Sequence, residues 1–193
     1  MSPIITYTVG PEHICNNDCL AAPGYMFSVK NRKLANTRDI IISRISFEHI
    51  APKENRHVHL YLTSDFYHDK VRDSKQWQKL ASLKVPKKEF HYSEFVLDTP
   101  ITLAKGAGVS FYVQAEENIL LVAKSGDVES STKNDGRVRL IYGSSIASGS
   151  FGAALKGYSW NGEVSYSTIE LEPTFQPAAL SSHTKNLPTL PPS

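Results

Sequence analysis

Alternation of apolar and polar residues is the feature that most limits what this chain can fold into. Residues 57–63 (HVHLYLT) send Val58, Leu60 and Leu62 to one side and His57, His59 and Tyr61 to the other. Residues 108–115 (GVSFYVQA) set Val109, Phe111 and Val113 against Ser110, Tyr112 and Gln114. Residues 39–49 (DIIISRISFEH) place Ile41, Ser43, Ile45 and Phe47 on one face. Ile40, Ile42, Arg44, Ser46 and Glu48 fall on the other, so this strand is expected to be two-sided at its start and polar-out at its end. No window of about a dozen residues carries an amphipathic helical stripe. Further strands are predicted at 25–29, 77–85, 94–97, 119–123, 137–142 and 163–171, the last with a bend where its apolar residues change face after Tyr166. About nine or ten short strands joined by turn-rich segments predict an all-β fold, an antiparallel β-sandwich of jelly-roll type.

The joints carry turn chemistry. Asn134-Asp135-Gly136 precedes the strand at 137, and Pro86, Pro100 and Gly106 punctuate other borders. Residues 67–79 (YHDKVRDSKQWQK) form a polar excursion with room for a helical turn, and 143–157 (GSSIASGSFGAALKG) read as a long loop, a common location for function. We divide the chain into a sandwich domain at 1–172 and a disordered tail at 173–193, which holds five of the eleven prolines. Pro188-Thr189-Leu190-Pro191 matches the minimal polyproline spacing, but with no well-placed Arg a solvated tail is favoured.

Charge excludes several partners. Lys+Arg is 21 against 19 Asp+Glu, a net charge of +2, so a polyanion-binding excess is absent and no nucleic-acid partner is expected. The basic clusters Lys30, Arg32, Lys33 and Arg38, and Lys84, Lys87 and Lys88, read as solvated turns. No apolar run approaches the roughly 20 residues of a membrane span. The first residues lack a secretory pattern and the chain has no Asn-x-Ser/Thr sequon, which predicts a cytoplasmic location if Met1 is the true start and a secreted one if a signal peptide was removed. Cys15 and Cys19 then favour reduced thiols, with a short-loop disulfide and a His13/Cys15/Cys19 metal site as alternatives.

The catalytic motifs are missing: no Gly-x-Ser-x-Gly elbow, no phosphate loop, no dinucleotide fingerprint and no His-Glu zinc-protease motif occur. No catalytic residue, metal ligand or cofactor is assigned. One constellation stands out. His57 and His59, two apart on a strand, project from one face and could reach one metal, as in cupin-like enzymes. The carboxylate that such enzymes place three or four residues later is absent, since the first is Asp65. An enzyme reading would need Glu48, His49 or His91 to complete the site. The favoured surface is instead a binding face of His57, His59, Tyr61, Tyr112, Gln114 and Arg44, or the 143–157 loop with Trp160 beside the Asn161-Gly162 turn. Aromatic rings there would stack on a ligand. Trp77 is expected in the core or as a plug at its rim.

Several segments recur in a recognisable order: GYMFSVKNRK at 24–33, DIIISRISFEH at 39–49, HVHLYLTSDFYHD at 57–69, WQKLAS at 77–82, GVSFYVQ at 108–114 and WNGEVSY at 160–166. This order resembles an uncharacterised β-sandwich module of diatom and other marine-microbe proteins, which opens on Gly-x-Met-Phe and closes on Trp-Asn-Gly-x-x-x-Tyr. The resemblance covers about residues 24–166, with Ser28 where the module usually carries Asp. The topology is also similar to PHR-type jelly rolls. These resemblances imply an extracellular or surface interaction domain. We therefore expect a non-catalytic module that recognises a glycan or protein ligand, with the metal-dependent enzyme and a scaffold using the tail as alternatives. Open sheet edges leave the oligomeric state undecided.

Overall fold

The computed structural model describes residues 6–9, 19–34, 38–51, 56–124, 132–134, 136–141, 145–146, 151, 154–155 and 158–168. Among the described residues fifteen strands are formed: β1 (Thr6–Val9), β2 (Cys19–Ala22), β3 (Gly24–Asn31), β4 (Ile40–Ala51), β5 (Arg56–Ser64), β6 (Gln78–Val85), β7 (Lys88–Leu103), β8 (Gly108–Ala115), β9 (Leu120–Lys124), β10 (Thr132–Asn134), β11 (Val138–Ile141), β12 (Ser145–Ile146), β13 (Ala154–Leu155), β14 (Tyr158–Trp160) and β15 (Val164–Thr168). Two single-turn 3-10 helices, His68–Lys70 and Ser74–Gln76, interrupt the excursion between β5 and β6.

The strands pair antiparallel into two sheets that pack as a sandwich. Sheet A runs β1-β15-β4-β9-β14, with β7 paired to β4 and β2 to β9. Sheet B runs β10-β11-β3-β8-β5-β6, with β12 on β3 and β13 on β12. Phe27, Val29, Leu60, Phe111 and Val113 from sheet B meet Ile42, Ile45, Phe47, Val122 and Tyr166 from sheet A between them. The alternation in β5 and β8 predicted the inward positions of Leu60, Phe111 and Val113.

Strand β4 departs from simple alternation. Ile42 pairs with Tyr166 and Arg44 with Ser165, so Ser43 is an extra residue opposite β15. That bulge advances the pleat by one position. Ile40 and Ile42 therefore face the core together with Ile45, Phe47 and His49, all buried, where the sequence pattern split Ile42 from Ile45. On the other side β7 absorbs the mismatch, since Ile42 pairs with Ile101 and Arg44 with Val96. Pro100 falls in that irregular stretch, where the ladder needs no N–H from it. The short strand expected at 94–97 is thus part of a 16-residue strand.

The segment between β14 and β15 closes sheet A. Trp160 enters the core and its ring stacks on Phe27 of sheet B, centroids 3.9 Å apart and planes within 13°. The Asn161 carbonyl accepts from the Glu48 amide at 2.9 Å, and the Glu163 carbonyl from the Ser46 amide at 2.8 Å. Asn161 Nδ2 also donates to Glu48 Oε2. Residues 161–163 thereby supply β4 with the partners it lacks between β15 and β9. Gly162 sits against the Ser46 carbonyl and the Trp160 indole, leaving no room for a Cβ.

The register of β15 shifts between Ser165 and Tyr166, close to the bend expected there. Gly136, at φ +90°, turns the β10–β11 hairpin as expected. The 143–157 segment differs from a plain loop, because Ser145–Ile146 and Ala154–Leu155 pair with each other. Cys19 is disulfide-bonded, which replaces the reduced pair favoured from sequence; Cys15, the other cysteine, lies outside the described residues. The 173–193 tail lies outside them as well.

Gly162→Ala should destabilise the fold by about 3 kcal/mol or more, because the clash is with backbone and a buried ring. Urea unfolding of this variant against Gly136→Ala, where a Cβ meets no atom and only the positive φ is strained, checks it. Equal losses would show that the close approach at 162 carries no special weight.

Candidate functional site

The outward face of sheet B holds most of the candidate residues, and its exposure is uneven. Cross-strand register places His57 opposite Lys84, and His59 between Ser82 and Gln114. Tyr61 lies between Lys79 and Tyr112, and Tyr112 pairs onward with Met26. Opposed residues share a face, so these rows form one surface.

Half of that surface is covered. Met26, Tyr67, Trp77, Tyr112 and Ile146 form a second apolar cluster, with Tyr61, Val71 and Phe151 packed on it. The polar excursion between β5 and β6 supplies the cover. Trp77 Nε1 donates to the Lys70 carbonyl at 2.9 Å and fixes the indole over the sheet. Beneath lie Ser28 and Ser110, joined at 2.7 Å, and Ser110 Oγ donates to the Asp65 carbonyl. A carboxylate at position 28 would be an uncompensated buried charge there, which gives Ser28 a physical reason.

Three candidates are therefore corrected. Tyr112 points outward from the main core as alternation requires, yet it is fully buried, and its phenol is pushed up to about 12 by that burial. Its ring lies over Gly24, where a Cβ would come within 2.7 Å of Cε2. Trp160, expected to offer its ring beside the Asn161-Gly162 turn, is a core residue of sheet A. Arg44 also leaves the site. It lies on sheet A, paired with Glu94 at 3.6 Å. Trp77, expected in the core or as a plug at its rim, is buried in the second cluster on the outer face of sheet B.

What remains accessible is a strip of His57, His59, Tyr61 and Gln114. The two imidazoles are nearly parallel, 9° between planes and 6.4 Å between centroids. His59 Nδ1 bonds Ser82 Oγ at 2.9 Å, and His57 Nδ1 lies 3.7 Å from Glu116 Oε1. The His59 ring is thus fixed to β6 through Nδ1, while the His57 ring lies within ion-pair reach of Glu116. The Tyr61 edge meets the His59 ring at 82°, and its other side leans on Tyr112. Burial, then the charge of Lys79, lowers the His59 pKa, while Glu116 raises it.

The third metal ligand invoked for an enzyme does not come from the expected residues. Glu48, His49 and His91 all belong to sheet A, across the core from His57 and His59. Among the described residues no group of three His, Cys, Asp or Glu side chains is arranged to hold a metal. His49 is a buried structural histidine: Nε2 bonds Ser93 Oγ at 2.9 Å and the ring meets His91 edge-on at 5.7 Å. Burial, reinforced by His91, lowers its pKa from 6.5 to about 4.

Four neighbours of the strip escaped the sequence reading as site residues: Lys79, Ser82, Lys84 and Glu116. Lys84 was assigned to a solvated turn but sits on β6 opposite His57. Only strand pairing brings them together, although the alternation of β6 would have placed Ser82 and Lys84 on one face. No family model matches the chain, and no curated protein is significantly similar to it.

Two outcomes follow from these placements. Tyr112→Ala should cost about 3–5 kcal/mol, whereas His57→Ala should stay within about 0.5 kcal/mol of wild type, read by chemical denaturation. Stability should also be lost in acid through His49. Above pH 6.5 the ring is neutral in both states; between 6.5 and about 4 the unfolded chain takes up a proton that the fold refuses. The loss approaches about 3 kcal/mol, and His49→Gln, which keeps a polar partner for Ser93, should flatten the pH dependence of the melting temperature in that window. An unchanged profile would remove His49 as its source.

Proposed function

We propose that this protein is a non-catalytic recognition module that binds a glycan on the His57–His59–Tyr61–Gln114 strip of sheet B. The parallel imidazoles carry this reading. Two flat, parallel rings on an accessible strip, one of them fixed through Nδ1 to Ser82, suit a sugar, which offers hydroxyls to polar atoms and C–H faces to rings. Gln114 adds an amide that can both donate and accept. Tyr61 supports the ring row from one end. A β-sheet platform holds such groups at fixed spacing, so little ordering is needed when the ligand arrives.

We read the sandwich as jelly-roll type, supported by a chain path that moves repeatedly between sheets: β3 in B, β4 in A, β5 and β6 in B, β7 in A, β8 in B and β9 in A. The resemblance to the marine-microbe module supports an extracellular or surface role. The disulfide at Cys19 supports the same setting, because such bonds persist in oxidising compartments.

A glycan-array screen of the full chain, with Tyr61→Ala and His59→Ala as controls, tests the reading. We expect a defined set of sugars retained by wild type and lost in both variants. Retention of the same sugars in both variants would move the site elsewhere, and a blank array would transfer the role to protein ligands.

A further inference from the structure

We propose that the ligand of this strip is an acidic glycan, whose carboxylate or sulfate-ester oxygens are held by Lys79 and Lys84 beside the imidazoles of His57 and His59. The proposal rests on the glycan reading and specifies its chemistry.

Charge on the strip is one-sided in the place that matters. Strand β6 is an edge of sheet B, and its outward residues Lys79, Ser82 and Lys84 line the histidine row along its whole length. Both lysines are exposed, and neither takes part in an ion pair among the described residues. Lys79 is close enough to depress the pKa of His59. On the opposite side, β8 contributes Gln114, and Glu116, just past the end of that strand, is engaged with His57. The other charged pair at this end, Arg56 with Glu117 at 2.7 Å, balances itself.

A ligand on this strip therefore meets two exposed ammonium groups along one border. Each carries three donors and no acceptor. A neutral sugar offers only hydroxyl dipoles to them, while a uronate or sulfate oxygen forms charge-assisted hydrogen bonds of about twice the strength. Lys79 and Lys84 are five positions apart on a strand that rises about 3.3 Å per residue, so the arrangement suits an extended ligand with more than one acid group. Among the described residues β6 is the last strand of its sheet, so such a chain can extend beyond the strip. A cation is disfavoured by the same lysines.

Binding of the full chain to polygalacturonate, dextran sulfate, uncharged dextran and a single-stranded oligothymidylate, by calorimetry near physiological salt, tests the inference. We expect binding to polygalacturonate or dextran sulfate, and none to dextran. That binding should weaken about tenfold or more in a Lys79→Gln/Lys84→Gln double variant and remain unchanged in Lys105→Gln, which lies beyond the far end of β8. The two acidic polymers separate carboxylate from sulfate recognition. Equal loss in Lys105→Gln, or oligothymidylate binding as tight as the glycan, would reduce the effect to general polyanion attraction and overturn the proposal. A neutral sugar retained on the array with no acidic polymer bound would overturn it while the glycan reading stands. Failure with every sugar, neutral and acidic, would remove both. Matching thermal melts of the variants and wild type confirm that the fold is intact.

Discussion

The stack of Trp160 on Phe27 is the contact on which the rest of the sandwich depends. It ties β14 of sheet A to β3 of sheet B, with Tyr25 completing the aromatic layer 5.9 Å from the indole. Placing a ring that large forces the next residues against β4, and Gly162 is the residue type that fits so close to the Ser46 carbonyl. Asn161 and Glu163 then satisfy the β4 amides left open between β15 and β9. The Trp-Asn-Gly sequence is thus a structural latch: apolar burial, backbone hydrogen bonding and close approach meet in three consecutive residues. Its role in closing the fold explains why its indole is unavailable to a ligand.

Sheet B has the opposite problem. Its inner face is covered by sheet A, but Met26 and Tyr112 make its outer face apolar as well. The chain answers with Trp77, Tyr67 and Phe151, which seal those residues into a second cluster. The seal ends at Tyr61. Beyond it the outer face is polar, with His57, His59 and Gln114 exposed or half-buried beside Lys84 and Glu116. The candidate site is therefore the uncovered remainder of one sheet face, stiffened by the cluster next to it.

Buried polar groups set how this sandwich responds to pH. Burial lowers the His49 pKa and raises that of Glu48, so each group favours its neutral form inside the fold. Their effects on stability have opposite signs. Neutral His49 stabilises most at high pH, whereas the penalty for charging Glu48 is absent in acid and grows as pH rises through its raised pKa. The hydrogen bond from Asn161 offsets part of that penalty by giving the carboxylate a donor.

Period-two alternation in residues 57–63 and 108–115 determined the fold class, the inward residues of β5 and β8, and the outward direction of His57, His59 and Tyr61. Side-chain direction on a strand is a local property of the pleat, so sequence suffices for it. The bulge at Ser43 was invisible because it arises from the mismatch between β4 and β15, which are over a hundred residues apart. Outward direction also failed to reveal exposure. Tyr112 alternates as Tyr61 does, yet only the packing of a distant excursion decided that one ring is sealed and the other accessible. The same holds for Lys79, Ser82 and Lys84, which became neighbours of the histidines through register. Local sequence sets which way a side chain points; tertiary pairing sets what it meets there.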